Sequence, residues 1–195
     1  MTPEDIVAFW LGPPGDPPLA NAKKWWMKSE AFDREIRERF EETLERAVRG
    51  ELAAWRESPR GRLALVILLD QFSRNMFRGT PRSFAQDPLA REIAEEAFAA
   101  GDDRVLGPIE TSFLLMPFMH AEDVVLQRRC VEEFSRRALD HQHEIRENFE
   151  SSAKFARLHC EIVERFGRFP HRNEILGRAS THEETEFLKQ PGSSF

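Results

Sequence analysis

Seven consecutive apolar residues, Leu63-Ala64-Leu65-Val66-Ile67-Leu68-Leu69, run straight into the polar string Asp70-Gln71-Phe72-Ser73-Arg74-Asn75. The run is far shorter than the ~20 residues that cross a bilayer. A helix that is apolar nearly all round must be covered on every face by other protein. The spacing predicts a buried central helix over 60–77, so the rest of the chain has to supply its cover.

That cover reads as more helix. Thr2, Pro3 and the acids Glu4 and Asp5 start a helix over 3–11, and the Pro/Gly string at 12–18 is a loop. Ser29 caps a helix over 30–49 whose stripe is Phe32, Ile36, Phe40, Leu44 and Val48. A short helix is expected at 51–57, and Asp87-Pro88 is expected to cap and start another that Gly101 stops. Pro108 starts the next, and Pro117 should kink or end it. Helices follow over 121–139, 149–166, 172–177 and 182–189, the last with a Thr181/Glu184 capping box, before a non-helical tail at 191–195. No strand pair is evident. The expectation is an all-α fold of about eight to ten helices in one domain over 1–195, a compact array of antiparallel helical hairpins. No clean repeat period is present.

Composition narrows the chemistry. There are 16 Phe and no Tyr, so no tyrosine serves as acid, nucleophile or phenolic donor. Phe32, Phe40, Phe72, Phe155 and Phe166 fall on helix stripes and read as core; the four Trp lie within the first 55 residues and are expected to cover one end. A net charge of -6 disfavours nucleic acid as a partner. Of 28 basic residues only five are Lys, and the remaining 23 are Arg, the residue suited to bidentate pairing. Cys130 and Cys160 read as packed thiols of a reduced, cytoplasmic protein, and the acidic N-terminus does not resemble a secretory signal. Neither a membrane nor a cofactor is expected as a partner, and no dinucleotide, P-loop, nucleophile-elbow, zincin or C-x-x-C motif occurs.

Three polar clusters remain. Asp70, Arg74 and Asn75 lie on the central helix, where Arg74 could clamp an anion with Asp70 orienting it, or the pair could simply tie helices together. His120, Glu122 and Asp123 follow Pro117 at a helix junction. They could act in acid/base chemistry or bind a metal, or His120 could cap while the acids answer the helix dipole. Arg165, Arg168, His171, Arg172 and Asn173 sit around Gly167 and Pro170 in a stiff turn suited to a carboxylate or phosphate; the alternative is Arg side chains serving helix carbonyls and neighbouring acids. His159 precedes them on the Phe155-Ile162-Phe166 side of its helix.

The strings PRGRLALVILLDQFSRNMFRGTPRSFAQDPLAREIA (59–94), LLMPFMHAED (114–123), RFGRFPHRNEILGR (165–178) and FLKQPGSSF (187–195), with FWLGP and WWMKSEAFD near the start, resemble the bacterial domain-of-unknown-function family 924. The resemblance spans essentially the whole chain. It implies an all-α fold similar to tetratricopeptide-like superhelical arrays. It implies no activity, substrate or catalytic residue.

Read together, the clusters suggest a binding protein with an Arg/His-lined polar pocket for a small anionic ligand or an acidic peptide end. The candidate ligand-binding residues are Asp70, Arg74, Asn75, His120, Asp123, His159, Arg168, His171, Arg172 and Asn173. Arg74, Arg168 and Arg172 would hold the anion, His120 and His171 would titrate, and Asp70 and Asp123 would orient them. One alternative is a hydrolase with His120 or His171 as general base, in one version with a metal on His120, Asp123 and His171. The other is a tetratricopeptide-like interaction scaffold whose polar clusters are purely structural. Oligomeric state is not readable from this sequence.

Overall fold

The computed structural model describes residues 1–194; Phe195, the end of the expected non-helical tail, lies outside them. Among the described residues the fold is all helix and loop, with no strand. The packing divides the chain into two compact units, one formed by Met1–Arg78 with Arg82–Pro117, the other by Gly79–Pro81 with the chain from Phe118 onward.

The first unit is built around the apolar run. Ser58 caps α4 (Pro59–Val66) by accepting from the Gly61 amide at 3.1 Å. A wide π-turn, Ile67–Phe72, continues the helix into α5 (Ser73–Met76). Every residue from Leu63 to Ser73 is buried, Asp70 completely. The expected central helix is therefore present over 59–76, with an unexpected π-turn where the apolar run becomes polar. Such turns sit inside helices as single insertions and break the regular α register. Asp70 and Arg74 consequently do not share a plain α-helical face with Val66 and Phe77.

Around this core lie α1 (Pro3–Leu11), α3 (Glu30–Val48) and α6 (Asp87–Ala100). Burying each of these large apolar side chains contributes roughly 1.5–3 kcal/mol. Phe40 and Trp10 meet Phe72 at ring centroid distances of 4.8 and 5.5 Å, and Trp10 meets Phe113 of α7 (Pro108–Met119) at 5.9 Å. Thr2 and Asp5 close the capping box of α1, and Ser29 accepts from the Phe32 amide at the start of α3. Short α2 (Ala22–Trp25) is pinned by Trp25, whose Nε1 donates to the Trp10 carbonyl at 2.8 Å.

Several local expectations differ in detail. Residues Ala53–Glu57 form a 3-10 turn rather than an α-helix. Asp87 does not cap α6, because its carboxylate faces Arg74 instead. Pro117 lies inside α7, which runs on two residues to Met119. Val48 and Phe155 are on stripes yet 41% and 50% exposed, so neither belongs to the core.

In the second unit α8 (Val124–Asp140) and α9 (His143–Phe166) are joined by only two residues, His141 and Gln142. Arg128 bonds Glu164 and Ser135 accepts from Arg157, so seven residues forward on α8 correspond to seven back on α9. This is an antiparallel hairpin, with Phe134, Phe149 and Cys130 fully buried. The polar stretch at 140–147 breaks the helix only at its start. Gly167 ends α9 in the left-handed region (φ 69), where a Cβ would be strained. A 3-10 turn at Pro170–Arg172 replaces the helix expected over 172–177, and α10 (His182–Leu188) has the expected Thr181/Glu184 capping box. No helix among the described residues is long and apolar enough to cross a membrane.

Gly61 makes the α4 start testable, since a Cβ there would collide with the Trp55 backbone carbonyl. Gly61→Ala should lower the urea midpoint by an amount worth about 1–3 kcal/mol with the m-value unchanged. A wild-type midpoint would contradict the packing of α4 on the Ala53–Glu57 turn.

Candidate functional site

In the first unit Arg74 is enclosed by acids. Its Nη1 lies 3.0 Å from Asp70 Oδ1 and 3.0 Å from Asp87 Oδ1, and Nη2 donates to Asp87 Oδ2 at 3.0 Å. Nη1 also donates to the Asp70 carbonyl, and Gln71 Nε2 to Asp70 Oδ2 at 2.6 Å. Burial acts against the Arg74 charge, but Asp70 and Asp87 outweigh it and hold its pKa above the ordinary value. Asn75 donates to Asp33 Oδ1 at 2.7 Å, and Arg78 takes both oxygens of the same carboxylate. With its charge answered twice, Arg74 is a cross-link between α5 and the start of α6. Asp70, Arg74 and Asn75 belong to the first unit, and the other seven candidate residues to the second.

The second unit draws the two remaining clusters together. After α7 ends, three successive carbonyls need donors. Gln127, fully buried on α8, gives its Nε2 to the Met119 and Ala121 carbonyls at 2.6 and 2.8 Å. Arg172 Nη2 donates to the His120 carbonyl at 3.1 Å. Glu122 reaches across to the turn after α9: its Oε1 accepts from the Phe169 amide at 2.8 Å, and Arg178 binds both of its oxygens at 2.9 and 2.7 Å. Desolvation opposes the Glu122 charge, but Arg178 and the Phe169 amide hold its pKa below the ordinary value.

This tie fixes Phe169 as a hub. Its ring is completely buried, 5.5 Å from the His159 ring and 5.6 Å from the His171 ring, with the Arg172 guanidinium 4.5 Å from its centroid. His120 stands 6.3 Å from His159. Two imidazoles and one guanidinium thus gather around a single phenyl ring, and a third imidazole, His120, stands beside His159. His159 Nδ1 donates to the Phe155 carbonyl one turn back at 2.8 Å, which fixes its neutral tautomer. Burial pushes the His159 pKa down to about 3, with His120, Arg172 and His171 adding repulsion. Burial and Arg172 likewise push His171 down to about 4, Glu122 opposing them. Both rings are therefore neutral at pH 7, and too weakly basic for a general base poised near neutrality.

The remaining candidates have structural partners. Asp123 is the N-cap of α8 and accepts from the Val125 and Leu126 amides at 2.8 and 3.1 Å. Arg168 binds both oxygens of Glu184 at 2.7 and 2.8 Å, chiefly through which the Glu184 pKa falls to about 2. Asn173 donates to Ser180 and Glu184 and accepts from Arg178 Nε at 3.0 Å. Among the described residues no group of three or more His, Cys, Asp or Glu is placed to hold a metal ion. That leaves no such group made of His120, Asp123 and His171. Sequence reasoning missed Gln127 and Arg178. A buried Gln is marked by nothing local, and Arg178 meets Glu122 across 56 positions of chain.

A family model described as "Bacterial protein of unknown function (DUF924)" matches residues 6–192. The chain belongs to this family. It is similar to the solved structure of a protein of unknown function, ATU0120, from Agrobacterium tumefaciens. The two share 40% identity over 96% of each chain, with a TM-score of 0.79. No curated protein matches. All three polar clusters of this DUF924 chain lie inside the matched span.

Two measurements check the geometry. Arg74→Met leaves the fully buried Asp70 carboxylate facing an apolar chain and should cost about 3–5 kcal/mol of stability. For His159 the folded pKa is depressed from 6.5 to about 3. Its contribution is complete above pH 6.5 and is lost as pH falls and the unfolded chain takes up the proton. By pH 5 the loss should reach about 2 kcal/mol. Urea titrations of wild type and His159→Gln at both ends of that range should therefore converge in the acid. Parallel pH profiles would show that His159 is not buried as a neutral ring.

Proposed function

We propose that this protein binds a small anionic ligand, through a carboxylate or phosphate group, at the His120–His159–His171–Arg172 cluster. The observation that carries this reading is the gathering of His159, His171 and Arg172 around Phe169, with His120 beside His159. The nearby carboxylates Glu122 and Glu184 are already held by Arg178 and Arg168. Mutual repulsion among the His and Arg groups is part of what lowers the two histidine pKa values. An anion placed among them removes that repulsion, so binding takes up protons and tightens as pH falls. Arg172 supplies the permanent charge, and neutral imidazole N–H groups supply directional donors. Asp70, Arg74, Asn75, Asp123, Arg168 and Asn173 hold the scaffold in this reading and do not touch the ligand.

The test is thermal denaturation with inorganic phosphate or citrate against chloride at matched ionic strength. At 100 times Kd the melting temperature should rise by about 5–10 °C. With citrate the rise should be larger at pH 5, near the lowered histidine pKa values, than at pH 8. His171→Asn, at a half-buried position, should abolish most of it without unfolding the chain. Equal shifts in wild type and variant, or the same shift with chloride, would refute the assignment.

A further inference from the structure

Several arginines of the first unit are neutralised by acids of the same unit. Arg56, Arg60, Arg62, Arg78 and Arg82 each pair with a carboxylate within the unit. Three of the chain's five lysines, Lys23, Lys24 and Lys28, fall within six residues of one another, in the string Lys23-Lys24-Trp25-Trp26-Met27-Lys28. All three are exposed, and among the described residues none has an ion pair. In a chain of net charge -6 this is a concentrated, unneutralised positive patch.

The same six residues carry exposed apolar surface. Trp26 is 62% exposed and Met27 is 52% exposed. Trp26 is nevertheless held in place: it stacks on Phe113 at 6.5 Å with 13° between the planes and meets Trp25 edge-on at 6.4 Å. Trp25 is itself buried and tied to the Trp10 carbonyl. A large aromatic held rigid before binding loses little entropy on docking, which is how interface hot spots are made. Lysines around an exposed Trp and Met select a partner that is both anionic and apolar.

We propose that Lys23–Lys28 is a docking surface for an acidic protein segment that carries an aromatic or large aliphatic side chain. The apolar side chain packs on Trp26 and Met27, and flanking carboxylates meet Lys23, Lys24 and Lys28. Charge complementarity selects this occupant over an anionic bilayer. A bilayer faces a whole side of the protein, whose remaining charge is negative. A short segment lies within one Debye length, about 8 Å, of the patch, where three lysines are concentrated, and the acids farther off are screened from it. The string lies in the first unit and the histidine cluster in the second.

The test uses the full chain with labelled random copolymers. Anisotropy should show saturable binding of poly(Glu,Tyr), at least about tenfold tighter than poly-Glu of equal length. Trp26→Ser should remove that preference, and Lys23→Glu/Lys24→Glu/Lys28→Glu should weaken poly(Glu,Tyr) by about tenfold or more. All four side chains are exposed, so unchanged far-UV circular dichroism and a cooperative melt are expected and verify the fold. Equal affinity for both polymers means bulk ion exchange and overturns the proposal. So does unaltered binding in either variant, absence of binding, or co-sedimentation with phosphatidylglycerol vesicles in preference to the copolymer.

Discussion

A helix without an exposed face obliges the chain to surround it, and the first unit is the result. From Leu63 to Ser73 no residue reaches solvent appreciably, so α1, α3 and α6 are placed by the need to cover α4 and its continuation. Burial extends past the apolar run into Asp70, and a buried carboxylate must be paired. Arg74 meets it from the next turn and carries the link onward to Asp87. The polar string thus continues the core in electrostatic form, joining the end of one helix to the start of another.

The second unit solves a different problem with similar means. A helix that stops after an internal proline exposes carbonyls, and the turn after α9 exposes amides. Gln127 and Arg172 answer the carbonyls, while Glu122 answers the Phe169 amide. Arg178 then joins Glu122 to Asn173, which meets Glu184 and through it Arg168. These ties hold Phe169 where His159, His171 and Arg172 surround it, with His120 beside His159. The proposed anion site is therefore a by-product of positions that backbone hydrogen bonding demands. Its neutral histidines follow from burial beside a fixed cation.

Much of the fold is legible because helix signals are local. Thr2, Ser29 and Thr181 cap as their side chains dictate, and Gly101 and Gly167 stop helices where a left-handed residue is needed. The differences arise where a tertiary partner outbids a local preference. Asp87 has the chemistry of a cap but turns to Arg74. Pro117 removes one amide and α7 still continues to Met119. Val48 and Phe155 have the right spacing and are still 41% and 50% exposed.

By itself the sequence determined the all-helical class, most helix ends, the buried central segment and the presence of three polar clusters. All of these depend on contacts within about four residues or on hydrophobic period. Only the tertiary structure decided which polar residues meet one another. Whether Arg168 meets Glu184, or Arg178 meets Glu122, depends on chain positions 16 and 56 apart. A guanidinium has the same local signature whether it answers a carboxylate, as Arg168 does, or a backbone carbonyl, as Arg172 does, so its role is set by what folding brings beside it.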